Sequence, residues 1–219
     1  LIICSSKTRK EIEYYRERLD NHHPFISENG GGIFIPKDLG FRIQDSRFKI
    51  EENSKYLIIR LGAKYSDLRK AVEELQKDGF GVKGFGDMTV EELAEIANMS
   101  VDEAMMAKKR DFDEPFVFDG TKTEEQKLLE AILSKGFNFT QGRFFHILGN
   151  SDKGKAVSIL IGLYRERFGD IKTIAIGDSP NDIPMLEKVD LPVIVKKSDG
   201  SYDLRIKVPR IIKADGIGP

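Results

Sequence analysis

Cysteine is almost absent: Cys4 is the only one in 219 residues. No internal disulfide can form, and a reducing compartment suits such a chain. No apolar run approaches the ~20 residues of a membrane-spanning helix, and no signal-peptide pattern is present. An excess of charge of one sign is missing too, since 35 Lys and Arg stand against 36 Asp and Glu. That balance offers no basic face to nucleic acid and no polybasic anchor to a lipid surface. Neither an internal repeat nor a low-complexity tract interrupts the chain. Together these absences predict a cytoplasmic globular protein with no nucleic-acid or membrane partner and an oligomeric state left open. The length allows one generous domain or two modest ones. An initiator Met is also lacking: the chain opens in mid-strand at Leu1-Ile-Ile-Cys4 and stops at Ile217-Gly-Pro219 on no recognisable element. We read it as a fragment that lacks residues at both ends.

What is present centres on Thr173-Ile-Ala-Ile-Gly-Asp-Ser-Pro-Asn-Asp182. A short β-branched run predicts a strand, Gly177 ends it, and Pro180 opens a helix. The strand therefore delivers Asp178 and Asp182 to its C-terminal end, the ligand-binding edge of an open parallel sheet. Two carboxylates with Asn181 beside them offer hard oxygen ligands suited to Mg²⁺ shared with a phosphate. The same residues also fit an Asp-rich turn that caps a helix.

Other stretches add to the phosphate reading. Leu1 to Cys4 predicts a strand, and Thr8-x-x-Glu11 is a capping box for the helix behind it. Ser5 and Ser6 then occupy a strand-to-helix turn, where hydroxyls and free N–H groups hold phosphoryl oxygens; that role is assigned to Ser5, while Ser6 also reads as a plain capping residue. Asn29-Gly-Gly-Gly32 predicts a hairpin turn with close backbone approach. Ser151 is expected to cap a later helix whose first turn holds Lys153 and Lys155, against the helix dipole. A bound anion is the simplest reason for that placement. Between these parts, Ser66, Thr89, Ser100 and Thr123 are expected to start helices. Pro115–Phe118 reads as a strand, and Phe137–Thr140 with Arg143–Leu148 as a hairpin. This predicts an α+β module at 64–147 inserted in a core formed by 1–63 and 148–219.

In this order and spacing the set resembles the haloacid dehalogenase superfamily of phosphatases. Within it, Ser5-Ser-Lys-Thr-Arg9, Phe25-Ile-Ser-Glu-Asn-Gly30, Lys109-Arg-Asp-Phe-Asp-Glu114, Gly142-Arg-Phe-Phe-His146, Gly149-Asn-Ser-Asp-Lys-Gly154 and Gly177-Asp-Ser-Pro-Asn-Asp182 resemble the mannosyl-3-phosphoglycerate phosphatase family. The resemblance implies an α/β fold, a Rossmann-like core with an inserted cap, and Mg²⁺-assisted phosphoryl transfer through an aspartyl-phosphate. It implies that Ser5, Lys153, Asp178 and Asp182 are catalytic and that the metal is served by Asp178 as ligand and by Asp182 through water or Lys153. Ser5, Ser6, Asn29, Gly30, Arg110, Glu114, Arg143, Lys153 and Asn181 are implied to bind a small phosphorylated sugar-glycerate substrate. Arg110 and Arg143 suit a glycerate carboxylate and Glu114 sugar hydroxyls; His146 reads as an ordinary strand-face residue. The family's nucleophile, in an Asp-x-Asp motif, would precede Leu1, so the chain as given is expected to be inactive. Two alternatives stay open. One is another capped sugar phosphatase, acting on glucosyl-3-phosphoglycerate or sucrose phosphate. The other is a catalytically inactive binding or regulatory protein, if the chain starts at Leu1.

Overall fold

The computed structural model describes residues 1–43 and 48–218; Pro219, one of the terminal residues noted above, lies outside them. Strand β1 (Ile3–Cys4) leads into helix α1 (Arg9–Arg18). Thr8 caps α1 as its spacing predicts, accepting from the Glu11 N–H at 3.2 Å while Glu11 accepts from the Thr8 N–H at 2.8 Å. Strand β2 (Phe25–Ser27) runs parallel to β1 and turns into antiparallel β3 (Gly32–Pro36). The turn holds Glu28 (φ 48), Asn29 (φ 54) and Gly30 (φ 89) in the left-handed region. Two consecutive non-glycine residues there cost about 1–3 kcal/mol each, a strain that clusters at functional sites. Gly30 has no substitute, because a Cβ would lie 2.1 Å from the Asp152 carbonyl oxygen. Strands β4 (Lys49–Glu52) and β5 (Tyr56–Arg60) complete a five-stranded sheet of order β1-β2-β3-β5-β4. The sequence reading missed β4, whose exposed, charged residues lie on an edge, where charge discourages further pairing.

The inserted stretch builds its own sheet. In order come α2 (Tyr65–Lys77), β6 (Val82–Gly84), α3 (Val90–Ala97), α4 (Val101–Ala107), β7 (Asp113–Phe118), α5 (Lys122–Ser134), β8 (Asn138–Gln141) and β9 (Phe145–Leu148). The four strands are antiparallel, in the order β6-β7-β9-β8. Leu68, Val72 and Leu75 of α2 and Leu128 and Ile132 of α5 pack on one face, against Phe116 and Ile147. The caps at Thr89 and Ser100 form as expected. Two others move: Lys64 precedes α2, leaving Ser66 inside the helix, and Thr121 with Glu124 forms the capping box of α5 in place of Thr123. Glu124 offers a charged acceptor to the Thr121 N–H, at 2.7 Å, that Gln126 cannot match.

The chain then forms α6 (Lys153–Phe168), β10 (Ile174–Gly177), α7 (Ile183–Leu186), β11 (Leu191–Lys196) and β12 (Ile212–Ile217). Asp152 rather than Ser151 caps α6, accepting from the Lys155 N–H at 2.8 Å, since a carboxylate outcompetes a hydroxyl for that donor. The last three strands make a separate parallel sheet of order β10-β11-β12. The strands of the expected core are thus split in two, with β1 and β10 each paired on one side only among the described residues. Ala156, Leu160 and Leu163 of α6 pack under the first sheet with Ile26, Ile33 and Ile59. Cys4 touches this cluster and also the one beneath the parallel sheet. Burial pushes its thiol up to about 12, which excludes it as a nucleophile.

Phe112, between α4 and β7, leaves the inserted stretch and enters the aromatic cluster of Phe25, Phe34 and Tyr56. Gly31 permits the approach: a Cβ there would lie 2.2 Å from that of Phe112. The Thr8 hydroxyl donates to the Met106 carbonyl at 2.9 Å, which ties α1 to α4. Among the described residues no helix is long and apolar enough to cross a membrane.

Candidate active site

The loop after β10 is organised by Asp182. Its Oδ2 accepts from the N–H groups of Asp178 (3.1 Å) and Ser179 (3.2 Å), and its Oδ1 from Lys153 Nζ at 2.6 Å. Lys153 and Asp182 are both buried. The cation that seemed misplaced at a helix start is therefore the partner of a carboxylate on the neighbouring loop. Both oxygens of Asp182 are occupied, so of the two supporting routes implied for it, water or Lys153, the contact formed is the one to Lys153. Asp178 stays half-buried at the strand end. Burial and the charge of Asp182 push its carboxyl above the usual range, and a cation there would relieve both effects. Among the described residues no cluster of three or more His, Cys, Asp or Glu could enclose a metal. A single carboxylate suits Mg²⁺, which keeps several waters and takes oxygens from a substrate phosphate.

The first sheet contributes the turn after β1 and the strained turn after β2. Ser5 Oγ accepts from the Lys7 N–H at 3.2 Å, and the Ser5 carbonyl from the Asn29 N–H at 3.1 Å. The Asn29 side chain bridges three regions: Nδ2 donates to Asp113 Oδ2 at 2.8 Å, and Oδ1 accepts from Asn181 Nδ2 at 3.1 Å. Gly30 packs on the backbone that opens α6. Ser5, Asn29, Gly30, Lys153, Asp178, Asn181 and Asp182 thus belong to one neighbourhood. The β8–β9 hairpin reaches it as well, for a Cβ on Gly142 would lie 3.6 Å from Asn181 Nδ2.

Strand parity sorts the remaining expectations. On β9, Phe145 and Ile147 face the α2–α5 cluster, so His146 faces the opposite side; on β7, Asp113 shares its side and Glu114 does not. Glu114 is fully buried, accepting from Tyr65 Oη (2.8 Å), Arg69 Nη1 (2.8 Å) and the Gly86 N–H (2.7 Å). Its carboxylate is enclosed and does not meet a sugar hydroxyl. Arg110 is likewise consumed: it pairs with Asp113, donates through Nη2 to the Ser6 carbonyl at 2.8 Å and through Nε to the Asp113 carbonyl at 3.1 Å. Ser6 enters through that carbonyl rather than its hydroxyl. Arg143 donates to the carbonyls of Ala97 (2.7 Å) and Ile96 (3.4 Å), at the negative end of α3. Neither Glu114 nor Arg110 is free to meet the substrate as expected, whereas Arg143 is exposed and keeps donors beyond these two contacts. A buried guanidinium or carboxylate must be paired, and the partners lie too far away in sequence to be seen there.

Glu28 and Asp113 were not anticipated. Glu28 Oε2 accepts from the N–H groups of Phe112 (2.7 Å) and Asp113 (3.0 Å), clasping the inserted stretch to the core, and Arg110 Nε stands 3.6 Å away. A Glu before Asn-Gly carries no such signal. Burial raises the Glu28 carboxyl from 4.5 to about 8, opposed by Arg110 and reinforced by Asp113. A raised acid binds its proton in the folded state over a range where the unfolded chain has lost it, so this contribution weakens as pH rises. Thermal melts should show the wild type losing stability relative to Glu28→Gln between pH 4.5 and about 8. A difference that stays flat across that range would contradict the shift.

A groove of about 590 Å³ between α1 and α4 is lined by Arg9, Tyr14, Met105 and Lys109 among others. It lies outside the phosphate-handling cluster. Chemistry, not volume, locates the site.

Comparison with known proteins shows the family. The family model of haloacid dehalogenase-like hydrolases matches residues 1–203. A glucosyl-3-phosphoglycerate/mannosyl-3-phosphoglycerate phosphatase of Methanococcoides burtonii is 44% identical over 222 aligned positions, covering 100% of this chain and 80% of that relative. A mannosyl-3-phosphoglycerate phosphatase of Pyrococcus horikoshii is 40% identical, covering 89% of this chain and 76% of its own. Among solved structures, a haloalkanoate-superfamily phosphatase from Bacteroides thetaiotaomicron superposes with a TM-score of 0.60 at 19% identity, over 98% of this chain and 76% of that one. A protein from Thermoplasma acidophilum does so at 0.59 and 18%, over 96% and 74%. At such identities these two structures bear on the fold alone.

Proposed function

The chain belongs to the haloacid dehalogenase-like hydrolases, and from that premise we propose that it removes the phosphate of mannosyl-3-phosphoglycerate, leaving mannosylglycerate, in the cytoplasm. The observation that carries this reading is the buried Lys153–Asp182 pair beside the half-open Asp178 at the end of a parallel strand. Names of relatives at 40–44% identity supply the substrate. A glucosyl substrate is the second reading, favoured by the double name of the Methanococcoides relative.

In this mechanism the Ser5 hydroxyl donates to a phosphoryl oxygen. Lys153, fixed by Asp182, offsets the phosphoryl charge. Asn181 holds the Asp178 loop against Asn29. Asp178 would hold Mg²⁺, which supplies charge stabilisation to the transferring phosphoryl group. The nucleophile is an Asp on a strand preceding Leu1. The unpaired edges of β1 and β10 support that placement, because a parallel strand between them would end beside Ser5 and Asp178. Its carboxylate forms a bond to phosphorus as the ester oxygen leaves and takes a proton, and water then cleaves the acyl phosphate. Residues 64–147 act as the cap over a core made of 1–63 and 148–219, and the two meet where Gly142 approaches Asn181.

The test is Mg²⁺-dependent phosphate release from the mannosyl and glucosyl esters, by the 219 residues and by a version extended at its N-terminus. Activity confined to the extended protein is expected. Release from neither sugar by the extended protein would remove the substrate assignment.

A further inference from the structure

We propose that His146 is a substrate-contacting residue of this site, accepting a sugar hydroxyl at Nε2, and that Asp113 is the positioning residue that aims it. The inference rests on the phosphatase reading above and adds a contact that reading does not contain.

Three observations carry it. His146 is buried, on the cap-sheet face turned away from α2 and α5, and its Nδ1 lies 3.0 Å from Asp113 Oδ2. The same carboxylate binds Asn29, which binds Asn181, so three consecutive hydrogen bonds link the imidazole to the loop that holds Asp182 and Lys153. The other ring nitrogen, Nε2, has no hydrogen-bond partner among the described residues and is not sealed from solvent. A buried imidazole with one nitrogen fixed and the other presented is the usual arrangement of a positioned His.

The chemistry of the free nitrogen follows from its neighbour. Burial pushes the Asp113 carboxyl up, yet the Arg110 guanidinium and the hydrogen bonds from His146 and Asn29 hold it below the usual range. An ionised carboxylate only accepts, so Nδ1 carries the ring proton. In the neutral ring Nε2 is then bare and accepts a hydrogen bond, which a hydroxyl offers and a carboxylate does not. Flanking His146 across the sheet are Pro115 and Thr140, which share its face. Thr140, half-buried beside it, adds a hydroxyl suited to a sugar ring.

His146→Asn separates substrate contact from structure, because the shorter amide retains a donor near Nδ1 for Asp113 and offers nothing at Nε2. In the N-terminally extended protein, KM for mannosyl-3-phosphoglycerate is expected to rise roughly tenfold, the effect of one lost neutral hydrogen bond. The kcat/KM for p-nitrophenyl phosphate, which has no sugar, should stay within about twofold, since that hydrogen bond is not made. An unchanged KM for the sugar ester overturns the proposal, and so does an equal loss on both esters, which would mark a structural role. A wild type that cleaves p-nitrophenyl phosphate but neither sugar ester would overturn the substrate reading, and this contact with it. A second measurement needs no variant: the ¹⁵N resonance of His146 Nε2 should move when mannosylglycerate is added. No movement at saturating ligand would also overturn it.

Discussion

Asp178→Ala, in the N-terminally extended protein, is expected to lower phosphate release by about 10²–10³-fold, the usual loss when one preorganised electrostatic contact to the transition state is removed. The site has two aspartates, but the structure assigns them different work. Asp182 spends its carboxylate on Lys153 and on two backbone N–H groups. Asp178 carries a carboxyl raised by burial and by Asp182, the mark of a group held for function at some cost to stability. Asp178→Ala should therefore leave the melting temperature unchanged or higher. Asp182→Ala should lower it, because Lys153 is left buried without its partner and two loop N–H groups lose their acceptor. Parallel melts and phosphate assays check both statements. If Asp178→Ala kept near-wild-type turnover across a Mg²⁺ titration, the metal role would have to move to another residue.

Arg110→Ala is expected to cost about 3–5 kcal/mol, the penalty for breaking a buried ion pair from one side. The guanidinium is nearly sealed, with a side-chain exposure of 3%, and it faces Asp113 and Glu28, both at 0%. Removing it strands the Asp113 charge and frees the Ser6 carbonyl from its donor. It also loosens the clasp that brings Phe112 into the core. Denaturant melts read at an unchanged m-value would measure the loss, and Arg110→Ala/Asp113→Ala should recover part of it because the stranded charge is gone. A loss below about 1 kcal/mol would show that the pair behaves like an exposed salt bridge. The same experiment separates anchoring from recognition: a carboxylate-binding Arg110 would show its effect in KM and little in stability.

Much of this was legible along the chain because it is local. The capping boxes at Thr8, Thr89 and Ser100 are patterns four residues long, and they form as spelled. The strand before Asp178 and the hairpin around Gln141-Gly142 are set by short-range alternation and turn chemistry. Local signals also misled where two candidates stood a residue or two apart. Asp152 displaced Ser151, and Thr121 displaced Thr123, because the stronger acceptor wins the free N–H groups.

The expectations for Arg110 and Glu114 failed for a different reason. From sequence, Arg110, Glu114 and Arg143 are three polar side chains available for a substrate. Whether such a side chain meets solvent, ligand or protein depends on partners that are remote in the chain: Glu28 and Ser6 for Arg110, Tyr65 and Arg69 for Glu114, the carbonyls closing α3 for Arg143. A single β-strand step also turns Glu114 away from the face that His146 shares with Asp113. By itself, then, the sequence determined the chemistry of the loop, with its lysine, hydroxyl and aspartates, since those groups are placed by element ends. Only the tertiary structure decided which charges are spent on holding residues 110–113 to the turn after β2 and which remain free. Pairing of buried groups is settled by proximity in space, which one-dimensional spacing does not encode.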